Sequence, residues 1–269
     1  MLEPLPAVAP RVRSDPAFAK NLPPLVARDW LAAGLSDFRT NPAQSLVYGL
    51  AVFGLSMVVI GGLILVGLPS LILPALSGFL VVGPLLAIGL YEKSRRLRDG
   101  HPTTLAGMMV AHPRSGGQLV FAGLLLCLLV MLWLRAADLL YALFFGLLPF
   151  PGFDQILGQV FTTPRGWALI VTGSAVGGLF AAFAMSISLF SIPMLLERRV
   201  DALTALGTSF ALTTQNLRAV LPWGAIVVAG FLLSAATGLL GLIVIFPVLG
   251  HGTWHAWIAL RPAVTGAEE

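Results

Sequence analysis

Residues Phe79 to Arg98 read FLVVGPLLAIGLYEKSRRLR. The first part carries no charge, and then Glu92, Lys93, Arg95, Arg96 and Arg98 arrive within seven residues. An apolar run that ends abruptly in cations is the pattern of a helix leaving a bilayer on its positive side. Pro84-Leu85-Leu86, followed by Gly89, Tyr91 and Glu92, has two looser echoes. One is Pro193-Met194-Leu195 with Glu197-Arg198-Arg199; the other is Pro247-Val248-Leu249 with Gly252, Trp254 and His255. The spacing predicts three copies of one unit, each closing on such an exit.

Composition points the same way. The chain has 269 residues, 57% of them apolar and only 10% charged, and its mean hydropathy is +0.91. A soluble domain carries about 25% charged residues, so this chain would need an improbable surface in water. Four stretches, 43–91, 115–134, 166–196 and 219–260, hold no Asp, Glu, Lys or Arg. Each reaches the length of a span, and the longest hold two. The basic pI of about 9.8 is explained by cationic loops at one membrane face and does not require nucleic acid. Cys127 is the single cysteine and lies in an apolar run, so an intrachain disulfide is excluded.

The predicted fold is all-α, a polytopic transmembrane bundle of six spans arranged as three hairpin repeats, each preceded by a short interfacial amphipathic helix. The spans are expected at about 45–66, 71–92, 118–147, 165–196, 219–236 and 239–259. They belong to one domain, 26–262, between disordered tails at 1–25 and 263–269. The first amphipathic helix, Val26 to Arg39, gathers Trp30, Leu31, Gly34, Leu35 and Phe38 on one face and is expected to lie in the membrane interface. Asn41-Pro42 with Gln44 reads as an N-cap and capping box. The second helix begins near His101-Pro102-Thr103-Thr104 and the third at Asp201. Thr163-Pro164 caps span four, and Phe150 to Thr163 is a loop with one half-apolar piece. Fourteen of the sixteen Lys and Arg fall at one set of span ends, leaving Arg135 and Arg165 at the other. That bias predicts a bacterial inner-membrane protein with both termini in the cytoplasm. The rival is five spans, with 219–260 as one long kinked helix.

The strings DFRTNP, GPLLAIGLYEKSRR, SLFSIPMLLERRVDA and HGTWHAW together resemble the domain-of-unknown-function 2189 family of bacterial integral membrane proteins, over roughly Asp29 to Leu260. The resemblance implies a membrane protein and supplies no catalytic residues. Some members carry a loose cytochrome c oxidase label. A haem–copper core would need several histidines inside its spans; this chain has four in all, so the label would imply an accessory subunit.

Several residues stand out as candidates. Arg135 and Asp138 lie one turn apart and form either a structural ion pair near a membrane boundary or part of a polar path. His251 and His255 are four apart and could share a metal, although a third ligand is missing and Trp254 and Trp257 make an aromatic belt the alternative. Gly173, Gly177 and Ala181, with Ser174 and Gly178 beside them, form a small-residue ladder for packing within the chain or against a partner. Pro84, Pro193 and Pro247 mark helix kinks. Nothing calls for a cofactor or for catalysis. The expected function is a non-enzymatic structural or accessory membrane component. Its basic loops would meet anionic lipid headgroups, and a membrane-protein partner or a second copy is possible at the small-residue face. The alternative is a small-solute or lipid transporter.

Overall fold

A computed structural model describes residues 18–23, 25–146 and 152–262; within these the chain is helical throughout, without strands. The first amphipathic helix is α1 (Val26–Arg39), and α2 (Pro42–Leu65) is the first span. The second span is broken into α3 (Ile72–Leu86) and α4 (Ile88–Arg98), followed by the short α5 (Leu105–Met109). Next come α6 (Gly116–Phe145), α7 (Phe153–Thr162) and a second broken span, α8 (Pro164–Ser188) with α9 (Ser191–Glu197). The chain continues through α10 (Ala202–Gln215) and α11 (Leu217–Ala236), then a 3-10 turn at Leu240–Ile243 and α12 (Ile245–Leu260). Among the described residues, five helices are long and apolar enough to cross a membrane: 42–65, 69–98, 116–145, 164–197 and 217–236. Helix α12 is not among them. Its 16 residues reach about 24 Å, short of a hydrocarbon core of about 30 Å.

Several local expectations match the geometry. Thr163 accepts from the Gly166 amide, Asp201 from Thr204 and Thr104 from Gly107, each as an N-cap. The expected loop from 150 to 163 contains α7; its first two residues lie, with 147–149, outside the described residues. Asn41 departs from its expected role. It takes a left-handed backbone (φ 53°) and makes no side-chain cap, and Gln44 closes no capping box. Both amides reach sideways instead: Asn41 to the Thr103 hydroxyl at 3.3 Å and Gln44 to the Thr103 carbonyl at 2.9 Å, tying the start of α2 to the loop before α5. The expected tails lie mostly outside the described residues (1–17 and 263–269). Residues 18–20 are anchored, with Asn216 accepting from the Lys20 amide at 2.8 Å and donating to the Phe18 carbonyl at 2.9 Å.

Each proline marks an interruption by its own route. Pro193 and Pro247 follow the breaks at 189–190 and Val244, where a ring would meet the carbonyl one turn earlier. The break at Ala87 falls after Pro84 and has another filler. Tyr48 of α2 donates its hydroxyl to the Leu86 carbonyl at 2.8 Å and accepts from the Gly89 amide at 3.2 Å, bridging the gap between α3 and α4.

The amphipathic helices do not lie free in an interface. Helix α1 packs along α12, α5 on α4, and α10 on α8 and α9. Helices α4, α9 and α12 are thus each covered by one of the amphipathic helices. The apolar face of α1 is satisfied by protein: Trp30 is buried edge-to-face against Trp223, and Gly34 meets the backbone of Val248 and Gly252. A Cβ on Gly34 would lie 2.6 Å from the Gly252 nitrogen, so only glycine permits this approach.

Candidate functional site at the arginine end

The ends of α4, α9 and α12 converge. Glu197, closing α9, accepts from Arg98 of α4 at 2.9 Å, from Arg261 after α12 at 2.5 Å and from the Trp257 indole at 2.7 Å. Glu92, buried on α4, accepts from Arg96 at 2.7 Å; Arg95 approaches its other oxygen at 2.6 Å as an ion pair outside hydrogen-bonding geometry. Arg95 also donates to the Leu196 carbonyl at 3.2 Å, joining α4 to α9. Arg98 lies over the ring of Trp254 at 5.5 Å, and Trp254 stacks on Tyr91. These side chains surround an open cavity of about 850 Å³, lined by six arginines, His101, His112 and the acids Glu92, Asp99 and Glu197. The hydrogen bond from Arg98, helped by the charges of Arg98, Arg95 and His101, holds the Asp99 carboxyl below its usual range against the opposing effect of burial.

Behind this cavity runs a second polar feature that the sequence reading does not anticipate. Lys93 is fully buried and donates to Ser45 Oγ at 2.9 Å and to the Asn41 carbonyl at 3.2 Å. Ser45 Oγ lies 3.0 Å from His251 Nε2, and Ser94 Oγ lies 2.8 Å from His251 Nδ1. His255 Nε2 meets Asp37 at 2.9 Å, and the Ser94 hydroxyl also acts on that carboxylate. An ammonium can only donate, and the contacts are consistent with one proton order. Lys93 donates to Ser45, and Ser45 donates to His251 Nε2. His251 Nδ1–H donates to Ser94, whose hydroxyl in turn favours the Asp37 carboxylate. The chain thus begins at a cation and ends at an anion. It braces four helices: α1 through Asp37, α2 through Ser45, α4 through Lys93 and Ser94, and α12 through the two histidines. Burial pushes the Asp37 carboxyl up, but the hydrogen bonds from His255 and Ser94 and the charge of His255 outweigh it and hold it below its ordinary value.

The expected candidates fall out as follows. His251 and His255 turn to different partners, and among the described residues no group of three His, Cys, Asp or Glu could hold a metal ion. Trp254 and Trp257, expected in an aromatic belt, are fully buried, as is His251. Arg135 and Asp138 form a 3.6 Å ion pair, with the arginine side chain 83% exposed. Of the small-residue ladder, Gly177 receives the ring of Trp133 from α6, while Gly173 and Gly178 face nothing within 4 Å. Ser45, Ser94 and Asp37 had no local signature. Lys93 stood in plain view as one of the exit cations, yet it is turned inward.

The family model described as predicted integral membrane protein (DUF2189) matches residues 72–197. Over that segment, a little under half of its length, the chain is similar to this family. The DUF2189 match takes in α3 to α9, and with them Glu92, the α4 arginines, Arg114 and Glu197. The brace straddles its boundary, since Lys93 and Ser94 lie inside and Asp37, Ser45, His251 and His255 outside. No curated protein and no solved structure matches the chain.

Proposed function

We propose that this integral membrane protein is a non-enzymatic structural or accessory component of a bacterial inner membrane. In this reading it crosses six times, with the arginine end and both termini in the cytoplasm. The observation that carries it is the brace. A lysine, two serines, two histidines and an aspartate spend their hydrogen bonds on one another and lock α1, α2, α4 and α12 together. Such a centre makes a rigid platform at the arginine end, on which lipid and a membrane-protein partner can rest. The sixth crossing is read as the turn at Leu240–Ile243 continued by α12. At about 2 Å per residue for the turn and 1.5 Å for the helix, the two together reach about 32 Å. Two corresponding contacts favour the repeat. Tyr48 presses on Gly89, and Trp223 presses on Gly252. Tyr48 and Trp223 each stand one residue before a glycine that lies eight after an asparagine, and Gly89 and Gly252 each stand five after a proline.

Two experiments test the reading. With Cys127→Ser as background, a cysteine at His101 should resist a membrane-impermeant maleimide in intact cells; labelling there overturns the topology. Gentle detergent extraction followed by mass spectrometry should recover a reproducible membrane complex. A lone protein carrying a small molecule would instead favour transport. One observation supports that second reading. The three interrupted spans contribute Pro84, Leu189 and Ile245 to one apolar cavity of about 90 Å³, and broken helices in repeated units build transporter sites.

A further inference from the structure

The arginine-end cavity holds more positive charge than its own acids neutralise. Arg198 apart, its five arginines face three carboxylates among the described residues, and all three carboxylates are taken: Glu92 by Arg95 and Arg96, Glu197 by Arg98 and Arg261, Asp99 by Arg98. Among the described residues no carboxylate pairs with Arg114, which is exposed at the rim. Arg95 is held by Glu92 and the Leu196 carbonyl, and Arg96 by Glu92 and the Pro102 carbonyl, and each guanidinium keeps further N–H groups to offer. Such fixed planar forks suit the paired oxygens of a phosphate better than a single mobile ammonium would. The volume, about 850 Å³, falls in the range of small-molecule sites. Its position where apolar spans end is the level at which lipid headgroups sit.

We infer that this cavity binds a phosphate-bearing anion, through the guanidinium groups of Arg95, Arg96 and Arg114. The anion neutralises the surplus cations. This deepens the reading of the arginine end as a lipid-contact face, and it requires neither the six crossings nor the cytoplasmic orientation. The headgroup phosphate of an anionic phospholipid and a free phosphate share this chemistry.

The test uses the purified full chain in neutral detergent, with two probes at matched ionic strength against chloride. The first is inorganic phosphate. The second is phosphatidylglycerol added to phosphatidylcholine mixed micelles. The wild type should show a saturable rise in Tm with at least one probe, and Arg114→Glu should weaken that binding about tenfold or more. Arg114 is exposed, so this variant keeps the fold. Arg96→Gln is a second variant, and Arg135→Gln at the far end should bind as wild type. A response to the lipid alone makes the source a headgroup, and a response to phosphate alone makes it a soluble anion; either supports the site. No rise above chloride, or an equal rise in Arg114→Glu, overturns it. Because the readout is binding in detergent, its failure is separate from a failure of the cysteine-labelling topology.

Discussion

The two ends of this bundle are packed by different rules. At the arginine end Leu90, Leu195, Trp254 and Trp257 are fully buried, and even Lys93 and Glu92 are out of contact with solvent. At the opposite end Leu65 is 89% exposed, and Leu139, Leu143 and Leu179 are each more than 70% exposed. In water the second pattern would be a large apolar liability. In a bilayer lipid covers those side chains, and nothing drives helices together by burial alone. The glycines record the same contrast. A Cβ on Gly49, Gly89 or Gly252 would fall within 2.6 Å of a neighbour, whereas Gly54, Gly61 and Gly62 face open space. Protein packing therefore decides the arginine end, and the bilayer decides the rest.

The largest expected effect tests that contrast directly. At Gly49 a methyl would lie 2.3 Å from the carbonyl oxygen of Ile243, a backbone atom that cannot rotate away. Gly49→Ala should destabilise the protein by about 3 kcal/mol or more, at the upper end of overpacking penalties. Gly54→Ala should be neutral or stabilise by about 0.5–1 kcal/mol through helix propensity. Thermal unfolding in detergent, with abundance in the membrane as a second readout, compares them. Similar behaviour of the two variants would break the distinction.

Next in size is the brace. Asp37→Asn keeps the shape but removes the anion at the end of the chain that starts at buried Lys93. Losing one member of a buried charge pair costs about 3–5 kcal/mol when contact is direct; here relay through Ser45, His251 and Ser94 lowers the expectation to about 2 kcal/mol. Lys93→Met should also destabilise. The double variant should lose less than the sum, because the second change removes the charge that the first left uncompensated. Strict additivity would mean that the two groups do not act through one network.

The sequence made the spans legible because their signal is local: long uncharged runs with cations at one set of ends. The observed helices 42–65, 116–145 and 217–236 lie within three residues of the expected bounds, and Thr163 and Asp201 cap as their residue types predict. The brace was illegible because it is built from residues up to 218 positions apart, as in the Asp37–His255 contact, with no shared period. Two pairs of neighbours are misleading. Trp254 and Trp257 beside His251 resemble an interfacial belt, and Arg95 and Arg96 beside Lys93 resemble a solvated loop. Asn41 failed as a cap because its backbone is left-handed (φ 53°) and not the extended conformation that aims a side-chain oxygen at the first helical amides. Amphipathicity of α1 was correctly legible, but what covers its apolar face was not, since lipid and α12 are equally apolar.

A smaller effect should appear with pH. Asp37 has a folded-state pKa below its ordinary value of 3.8. Its contribution to stability is therefore complete above that value and disappears as pH falls through the lowered one. Thermal unfolding in detergent should show the wild type losing stability as pH drops below about 4, the unfolded carboxylate range. Asp37→Asn should show a shallower loss over the same interval. Parallel curves for the two would place the acid sensitivity elsewhere, with Asp99 the next group to test because its pKa is also lowered.

The smallest effect belongs to the polar pair on α6. Arg135 and Asp138 sit at the far end of α6, 3.6 Å apart, with side chains 83% and 45% exposed. An exposed ion pair contributes about 0–1 kcal/mol, and nothing in the brace or the arginine cavity touches it. Replacing both residues with Gln and Asn should leave the unfolding temperature and the anion response of the arginine end unchanged. If it lowered stability as much as Asp37→Asn, the far end would hold a polar interaction as strong as the brace. The division between a protein-packed end and a lipid-packed end would then fail at the place where it predicts the least.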